Sequence, residues 1–331
     1  MNGFKVVLIS SNHDIPDWVG KKFEEEKVEF VFHECQSRED LEKYAGDADV
    51  IWFMSGRKGL VAEENMDIFR KAGVVIKYGS GTDNIDHDAC TKRGIIVAHT
   101  PDDPSEPTSD HAIAMLFTSV RQTASQDRLV RKGVWDQKSL IPIGKFAGAD
   151  LGIIGFGRIG KAIVRKLSGF KMNVRVFDPY VDKAALEKAG CKKAGLDELI
   201  KESQYIMVTC PLTKETRYLI GDKEFDSMRS DAVLVNTARG GIVNEQALYR
   251  ALKENRIKAA ALDVVENPPL EQGNQLLTLE NICFTPWMGG YPSNYPDALF
   301  DVPVSEIIEM SKGHSPKWIA NRGVVPKWRF V

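Results

Sequence analysis

The run Leu151-Gly152-Ile153-Ile154-Gly155-Phe156-Gly157-Arg158-Ile159-Gly160 begins with buried-strand character and passes through glycines directly into an amphipathic segment. A strand that turns so tightly into a helix is a phosphate-binding turn, and each glycine of its G-x-G-x-x-G pattern has a separate task. Gly155 permits the sharp turn, Gly157 lets the backbone approach a diphosphate, and Gly160 lets the helix lie close on the strand. The diphosphate then rests where unpaired amide N–H groups and the positive end of the helix dipole favour an anion.

A glycine pattern alone is weak in a chain with 27 glycines. Its context is stronger. A second apolar run, Val174-Arg175-Val176-Phe177, ends in Asp178, about 20 residues beyond the turn, where an acid that binds an adenosine ribose belongs. A carboxylate there accepts from the ribose hydroxyls and repels a 2′-phosphate, and no basic residue immediately follows it. The expected cofactor is therefore NAD rather than NADP.

The chain has 331 residues, longer than one typical domain, so two are expected, each burying its own core. Hydrophobic residues at 43% and charged residues at 27% argue against disorder. Lys plus Arg (44) nearly balances Asp plus Glu (46), which leaves no electrostatic case for nucleic acid or an anionic membrane as partner. No apolar run reaches about 18 residues. The start reads as a first core strand, Phe4-Lys5-Val6-Val7-Leu8-Ile9-Ser10, rather than a signal peptide, so a cytoplasmic protein is expected. The cysteines at 35, 90, 191, 210 and 283 show no C-x-x-C spacing and the histidines no ligand-spaced cluster. Buried thiols are expected, with neither a disulfide framework nor a metal site.

In order, the pattern predicts a strand at 4–10, a helix at 15–26, a strand at 28–34 and a helix at 37–45. Strands at 50–54 and 74–78 follow, separated by a helix at 62–72. This is a parallel α/β unit without a nucleotide fingerprint, hence the candidate for the substrate half. Ser55-Gly56-Arg57-Lys58-Gly59 presents cations after one strand, with Arg57 the better candidate to meet an anion. Gly79-Ser80-Gly81-Thr82-Asp83-Asn84 offers an anion nest of amides after the next.

Thr100-Pro101-Asp102-Asp103-Pro104-Ser105-Glu106-Pro107 is too proline-rich for regular structure and is expected to be a hinge. A helix capped by Thr108 or Ser109 should follow, burying Ile113, Leu116, Phe117 and Val120, with His111 packing or hydrogen bonding rather than ligating. Beyond the fingerprint, short apolar runs at 205–210, 232–238, 258–264 and 282–286, each separated by a helix, place Arg239, Asp263 and Trp287 at strand ends. A helix at 295–310 should return the chain to the first domain, with 313–331 an irregular tail. The expected fold class is α/β: two doubly wound parallel-sheet domains, one flavodoxin-like for the substrate (1–103 with 298–331) and one Rossmann for NAD (104–297), with a cleft between them.

With these runs in hand, the sequence resembles the D-isomer-specific 2-hydroxyacid dehydrogenases, which include 3-phosphoglycerate, D-lactate and formate dehydrogenases and the C-terminal-binding-protein corepressors. The matching stretches are Gly79 to Asp86, Gly133-Val134-Trp135, the fingerprint, Pro211-Leu212-Thr213 with Thr216-Arg217, and Asn236-Thr237-Ala238-Arg239-Gly240-Gly241. Ala261-Leu262-Asp263-Val264 and Thr285-Pro286-Trp287-Met288-Gly289-Gly290 complete them. The resemblance implies that Arg239 binds a substrate carboxylate and 2-oxo oxygen, a bidentate task suited to a guanidinium. It implies that Asp263 accepts from the nicotinamide carboxamide, and that Gly79, Ser80 and Gly81 hold the far side of the carboxylate, with Arg57 of the 55–59 loop a further candidate to bind substrate. Arg158, Ile159, Pro211, Thr216, Ala238 and Gly289 complete the implied cofactor contacts. A homodimer through the NAD domain is implied too, with 121–145 as its arm.

One departure matters. Where active members carry a histidine that shuttles the alcohol proton, this chain has Trp287, and where they carry its supporting glutamate it has Pro268. An indole N–H donates a hydrogen bond but does not exchange a proton near neutral pH. Glu266 stands two residues short of the glutamate's place. Three readings stay open: a dehydrogenase whose proton passes through Tyr291, His99, Glu266 or water; a substrate that needs no coupled proton, such as formate, or a bulky acid stacked on Trp287; or an NAD(H)-binding sensor without turnover.

Overall fold

The computed structural model describes residues 3–55, 57–102, 104–138 and 140–330, so Gly56 of the 55–59 loop and Asp103 of the proline-rich stretch lie outside the described residues. The chain divides into two compact units, Met1–Pro104 with Pro292–Val331, and Ser105–Tyr291.

In the first unit β1 (Phe4–Ser10), β2 (Val28–Phe32), β3 (Val50–Phe53), β4 (Val74–Tyr78) and β5 (Ile96–Thr100) form a parallel sheet in the order β2-β1-β3-β4-β5. Successive side chains of a strand point to opposite faces, and both faces here are covered. Val7, Ile9, Ile51, Phe53, Val75 and Val97 pack on one side with Leu41 and Phe69. Val6, Leu8, Trp52, Ile76 and Ala98 pack on the other with Phe23, Phe300 and Ile307. That two-sided burial is why these strands read as unbroken apolar runs rather than as alternation.

The second unit carries β6 (Asp150–Ile154), β7 (Asn173–Phe177), β8 (Lys192–Lys193), β9 (Tyr205–Val208), β10 (Val233–Asn236), β11 (Ala259–Leu262) and β12 (Ile282–Phe284). Their order is β12-β11-β10-β9-β6-β7-β8, all parallel. Chain direction across the sheet reverses between β6 and β9, so the ends of these two strands form the switch point at which a doubly wound sheet receives its ligand.

Several local expectations are corrected. The segment 62–72 holds a single 3₁₀ turn, Glu63–Asn65, and no α-helix. The Asn65 amide donates to the Gly59 and Leu60 carbonyls, giving the backbone an alternative to the helical ladder. The helix after the proline-rich stretch begins at Ser105, not at Thr108 or Ser109. Pro107 falls in its first turn, where a missing N–H leaves no bond unmade, and Ser109 Oγ donates back to Glu106 O at 2.8 Å instead of capping. No α-helix separates β11 from β12, only the 3₁₀ turn Gln275–Thr278. Within 121–145 a helix forms at Thr123–Arg131, and the returning helix is Asp297–Ser311. The tail 313–330 is irregular yet docked: Asn321 accepts from Val97 N at 2.8 Å and donates to Ile95 O at 2.9 Å, and Trp328 lies where a side chain on Gly73 would stand. Among the described residues, no helix is long and apolar enough to cross a membrane.

Candidate functional site

The glycines of the fingerprint perform three distinguishable tasks. Gly155 has φ +94°, and a Cβ there would come within 2.7 Å of the Cys210 backbone, so the turns after β6 and β9 touch only because this residue has no side chain. A Cβ on Gly160 would lie 2.4 Å from Gly155 O, and its absence lets the helix Arg158–Leu167 lie against the turn. At Gly157, the N-cap of that helix, a Cβ would meet nothing within 4 Å, which is open room beside the helix N-terminus. A dinucleotide diphosphate fits this arrangement of freed amides and space.

Asp178, at the end of β7, accepts from Phe156 N at 2.7 Å and from Tyr180 N at 2.9 Å, which locks the acid onto the turn. After β9, Thr216 Oγ1 donates to Pro211 O at 2.6 Å and accepts from Thr213 N at 2.7 Å, closing the 211–216 loop on itself. Arg158 is exposed and Ile159 half-buried at the start of the helix.

At the end of β10 the buried Asn236 shapes the turn that presents Arg239. Its Oδ1 accepts from Ala238 N at 3.0 Å and its Nδ2 donates to Arg239 O at 2.8 Å. Gly240 follows, and a Cβ on it would stand 2.0 Å from Val265 C and 2.4 Å from Glu266 N, so this turn and the segment after β11 are in backbone contact. Glu266 is thereby near Arg239 in the chain's folding, but its carboxylate is occupied: Oε1 accepts from Glu245 N at 2.8 Å and Oε2 from Tyr218 Oη at 2.9 Å. That bond is the main reason the Tyr218 hydroxyl titrates above its usual range. Burial pushes the Glu245 carboxyl up; the Glu266 N–H pulls it back, and the Glu266 charge adds to the rise.

Asp263, at the end of β11, is 3% exposed. Its Oδ1 accepts from Thr285 Oγ1 at 2.6 Å and Met288 N at 2.7 Å, its Oδ2 from Gly289 N at 3.0 Å, and His111 Nε2 lies 3.3 Å from Oδ1. The Asp263 carbonyl accepts from Trp287 N at 2.9 Å. Asp263 therefore clamps the segment 285–289 that follows β12, and Gly289 must lack a side chain because a Cβ would lie 2.9 Å from Oδ2. Within the clamp Trp287 is held at φ +57°, a left-handed conformation that costs a non-glycine residue about 1 to 3 kcal/mol. Trp287 is 43% exposed, and the Arg239 Cζ lies 5.4 Å from its ring centroid.

In the first unit, the Gly79 amide (φ +88°) donates to Thr100 Oγ1 at 2.9 Å. The Ser80 carbonyl lies 3.2 Å from His99 Nδ1, and the Gly81 carbonyl accepts from Lys77 Nζ at 2.9 Å. The Arg57 guanidinium is turned to the Cys35 and Gln36 carbonyls, at 3.3 and 2.9 Å. Two residues that the sequence reading passed over tie these loops together. Buried Lys77 also donates to Asn84 Oδ1 at 2.8 Å, and Asn84 Nδ2 donates to the Ser55 and Arg57 carbonyls at 3.1 and 2.9 Å. A lysine inside an apolar strand run was the signal for the first. His111 hydrogen bonds, as its sequence context implied, with Thr285 Oγ1 2.9 Å away.

The strand-end residues of the second unit thus assemble a glycine turn, an acid bonded to it and an arginine set beside an aromatic ring. Comparison with known proteins agrees. Residues 113–289 match the family described as D-isomer specific 2-hydroxyacid dehydrogenase, NAD binding domain. The chain is 34% identical over 294 residues to a glyoxylate reductase of Pyrococcus furiosus, covering 87% of each. It is 35% identical over 292 residues to a D-3-phosphoglycerate dehydrogenase of Methanocaldococcus jannaschii, covering 88% of this chain but 55% of that one, so it spans about half the length of that relative. Among solved structures it is similar to a glyoxylate reductase from Paecilomyes thermophila (TM-score 0.87, 26% identity, 97% and 99% of the two chains covered). It is also similar to a D-lactate dehydrogenase from Aquifex aeolicus complexed with NAD and lactic acid (TM-score 0.82, 27% identity, 93% and 96% covered). By that family match and these relatives, the chain belongs to the D-isomer specific 2-hydroxyacid dehydrogenases.

Proposed function

We propose that the protein is an NAD-dependent oxidoreductase that interconverts a small 2-hydroxy acid and the corresponding 2-oxo acid. The observation that carries this reading is Arg239, whose guanidinium is presented at a strand end of the unit that holds the dinucleotide turn. Bound NAD supplies the two-electron chemistry. Gly155, Gly157 and Gly160, with the Arg158 and Ile159 amides, hold its diphosphate, Asp178 its ribose, and Pro211, Thr216 and Ala238 line its path. Arg239 binds the carboxylate and polarises the 2-oxo oxygen. In the first unit the Gly79 amide already serves Thr100 Oγ1, and the Arg57 guanidinium the Cys35 and Gln36 carbonyls. Trp287 walls the substrate position without exchanging a proton, and Glu266 braces the turn that carries Arg239. The alcohol proton passes to solvent beside the exposed ring, with a rate lower by about 10² to 10⁴ than a positioned acid allows. NADH binding followed by fluorescence, with a panel of 2-oxo acids screened for NADH oxidation, tests the reading. Binding without oxidation by any 2-oxo acid would sink it.

Asp178 sets the cofactor preference. Asp178→Ala is expected to weaken NAD binding by about tenfold, the worth of one charge-assisted hydrogen-bonded contact, and to weaken NADP binding far less. Equal losses for both cofactors in a titration would remove Asp178 from that role.

A second copy of the chain is the proposed partner. The helix Thr123–Arg131 buries none of its side chains, and Val130, Val134, Trp135 and Ile141 are 50%, 42%, 82% and 60% exposed. Apolar side chains so displayed on one arm suit an interface. Trp135→Asp should convert a dimer to a monomer in sedimentation analysis; an unchanged dimer counts against the arm. A reducing compartment such as the cytoplasm suits the five unpaired cysteines. Burial raises the Cys35 and Cys90 thiols to about 12 and the Cys191 and Cys210 thiols to about 11, which keeps them unreactive.

A further inference from the structure

We propose that Trp287 is a positioning residue that acts through Arg239: its indole face, carried on a main chain fixed by the Asp263 clamp, holds the guanidinium in the orientation that receives a carboxylate. The inference rests on the proposed role of Arg239 in substrate binding and adds to it the device that aims that side chain.

An arginine reaching out from a strand end has several free torsions, and a carboxylate-binding fork is useful only when those torsions are fixed beforehand. In this unit one Nη1–H is directed to the Ala238 carbonyl at 2.8 Å. That bond fixes one corner of the guanidinium. A further restraint is the Trp287 ring, whose centroid lies 5.4 Å from Cζ, within the range at which a guanidinium is attracted to an aromatic face. A ring can serve this purpose only if it is itself immobile. Its backbone is: Trp287 N donates to Asp263 O, and the next two amides donate to the Asp263 carboxylate at 2.7 and 3.0 Å. A tryptophan held at φ +57° persists only where surrounding bonds over-determine it, and such strain gathers where a side chain must be aimed. The aim here is at Arg239.

Oxamate, an unreactive carboxylate, is the probe, titrated calorimetrically into the full-length protein saturated with NADH. Trp287→Leu is expected to bind oxamate about tenfold more weakly, the upper range for a partly desolvated cation–aromatic contact, while NADH affinity is unchanged. Trp287→Phe, which restores an aromatic face, should recover most of that loss. In an Arg239→Met background, Trp287→Leu should have no further effect, because the two residues act as one unit. Losses that add in the double variant, or a phenylalanine no better than a leucine, overturn the proposal. A second readout needs no ligand. The Arg239 Nε–H resonance, assigned by its disappearance in Arg239→Met, should lie upfield in the wild type through the ring current and return to the ordinary range in Trp287→Leu. An unshifted resonance refutes the contact whatever the binding data show. Failure of the wild type to bind NADH would instead strike the proposed function and leave the resonance to decide this inference.

Discussion

Gly240→Ala is expected to destabilise the protein by about 4 kcal/mol, at the far end of what single substitutions do. The added Cβ would stand 2.0 Å from Val265 C, 2.1 Å from Val265 O and 2.4 Å from Glu266 N, and every one of these atoms is backbone. A flexible side chain could turn aside; a main chain braced by Glu245 N to Glu266 Oε1 at 2.8 Å and by the end of β11 cannot do so without moving a strand. Overpacking of this kind forces whole segments apart. Denaturant unfolding would show the midpoint falling with the slope unchanged. A loss below about 1 kcal/mol would mean that the 265–266 segment yields, and that its contact with the turn is not a fixed feature of the fold.

Arg239→Met should lower kcat/KM for the best 2-oxo acid by about 10³, with NADH affinity held, because it removes both a charge-assisted pair of donors and the polarisation of the reacting carbonyl. The size follows from the residue's two roles: carboxylate binding lowers KM, and stabilisation of charge developing on the 2-oxo oxygen raises kcat. Arg239→Lys keeps the charge but loses the planar fork, so it should recover only part of the rate. Cofactor binding serves as the internal control, since the turn at Gly155 to Gly160 and Asp178 depend on other strands. A loss under tenfold in kcat/KM would move the carboxylate site elsewhere in the chain.

The parts legible in the sequence were those written in consecutive residues. Strand, turn and helix around Gly155 could be read because the three glycines and the apolar run that precedes them lie within one short stretch, and the Cβ contacts at Gly155 and Gly160 show why each is needed. The buried strands of both sheets were equally plain, since covering a sheet on both faces demands unbroken apolar runs. Arg239, Asp263 and Trp287 were expected just beyond strand ends, and they follow β10, β11 and β12.

What sequence could not show depends on partners far along the chain. The helix expected at 62–72 gave way to side-chain bonds from Asn65, and Pro107 proved compatible with a first helical turn. The two-residue strand Lys192–Lys193 has no apolar signature at all; register against β7 alone defines it. The clamp at Asp263 draws on Thr285, Met288, Gly289 and His111, and only folding brings them to one carboxylate. The tail beyond 313 reads as loose because its anchor, Asn321, is a single polar residue matched to the end of a strand.

The bonds that fix the main chain at position 287 run from its own amide and from those of Met288 and Gly289 to Asp263, and none uses the side chain at 287. That position is therefore a socket, its bearing independent of what is fitted. A histidine, a tryptophan or a smaller ring placed there inherits the same address beside Arg239, so the fold can trade one kind of chemistry for another at this point while leaving the scaffold intact.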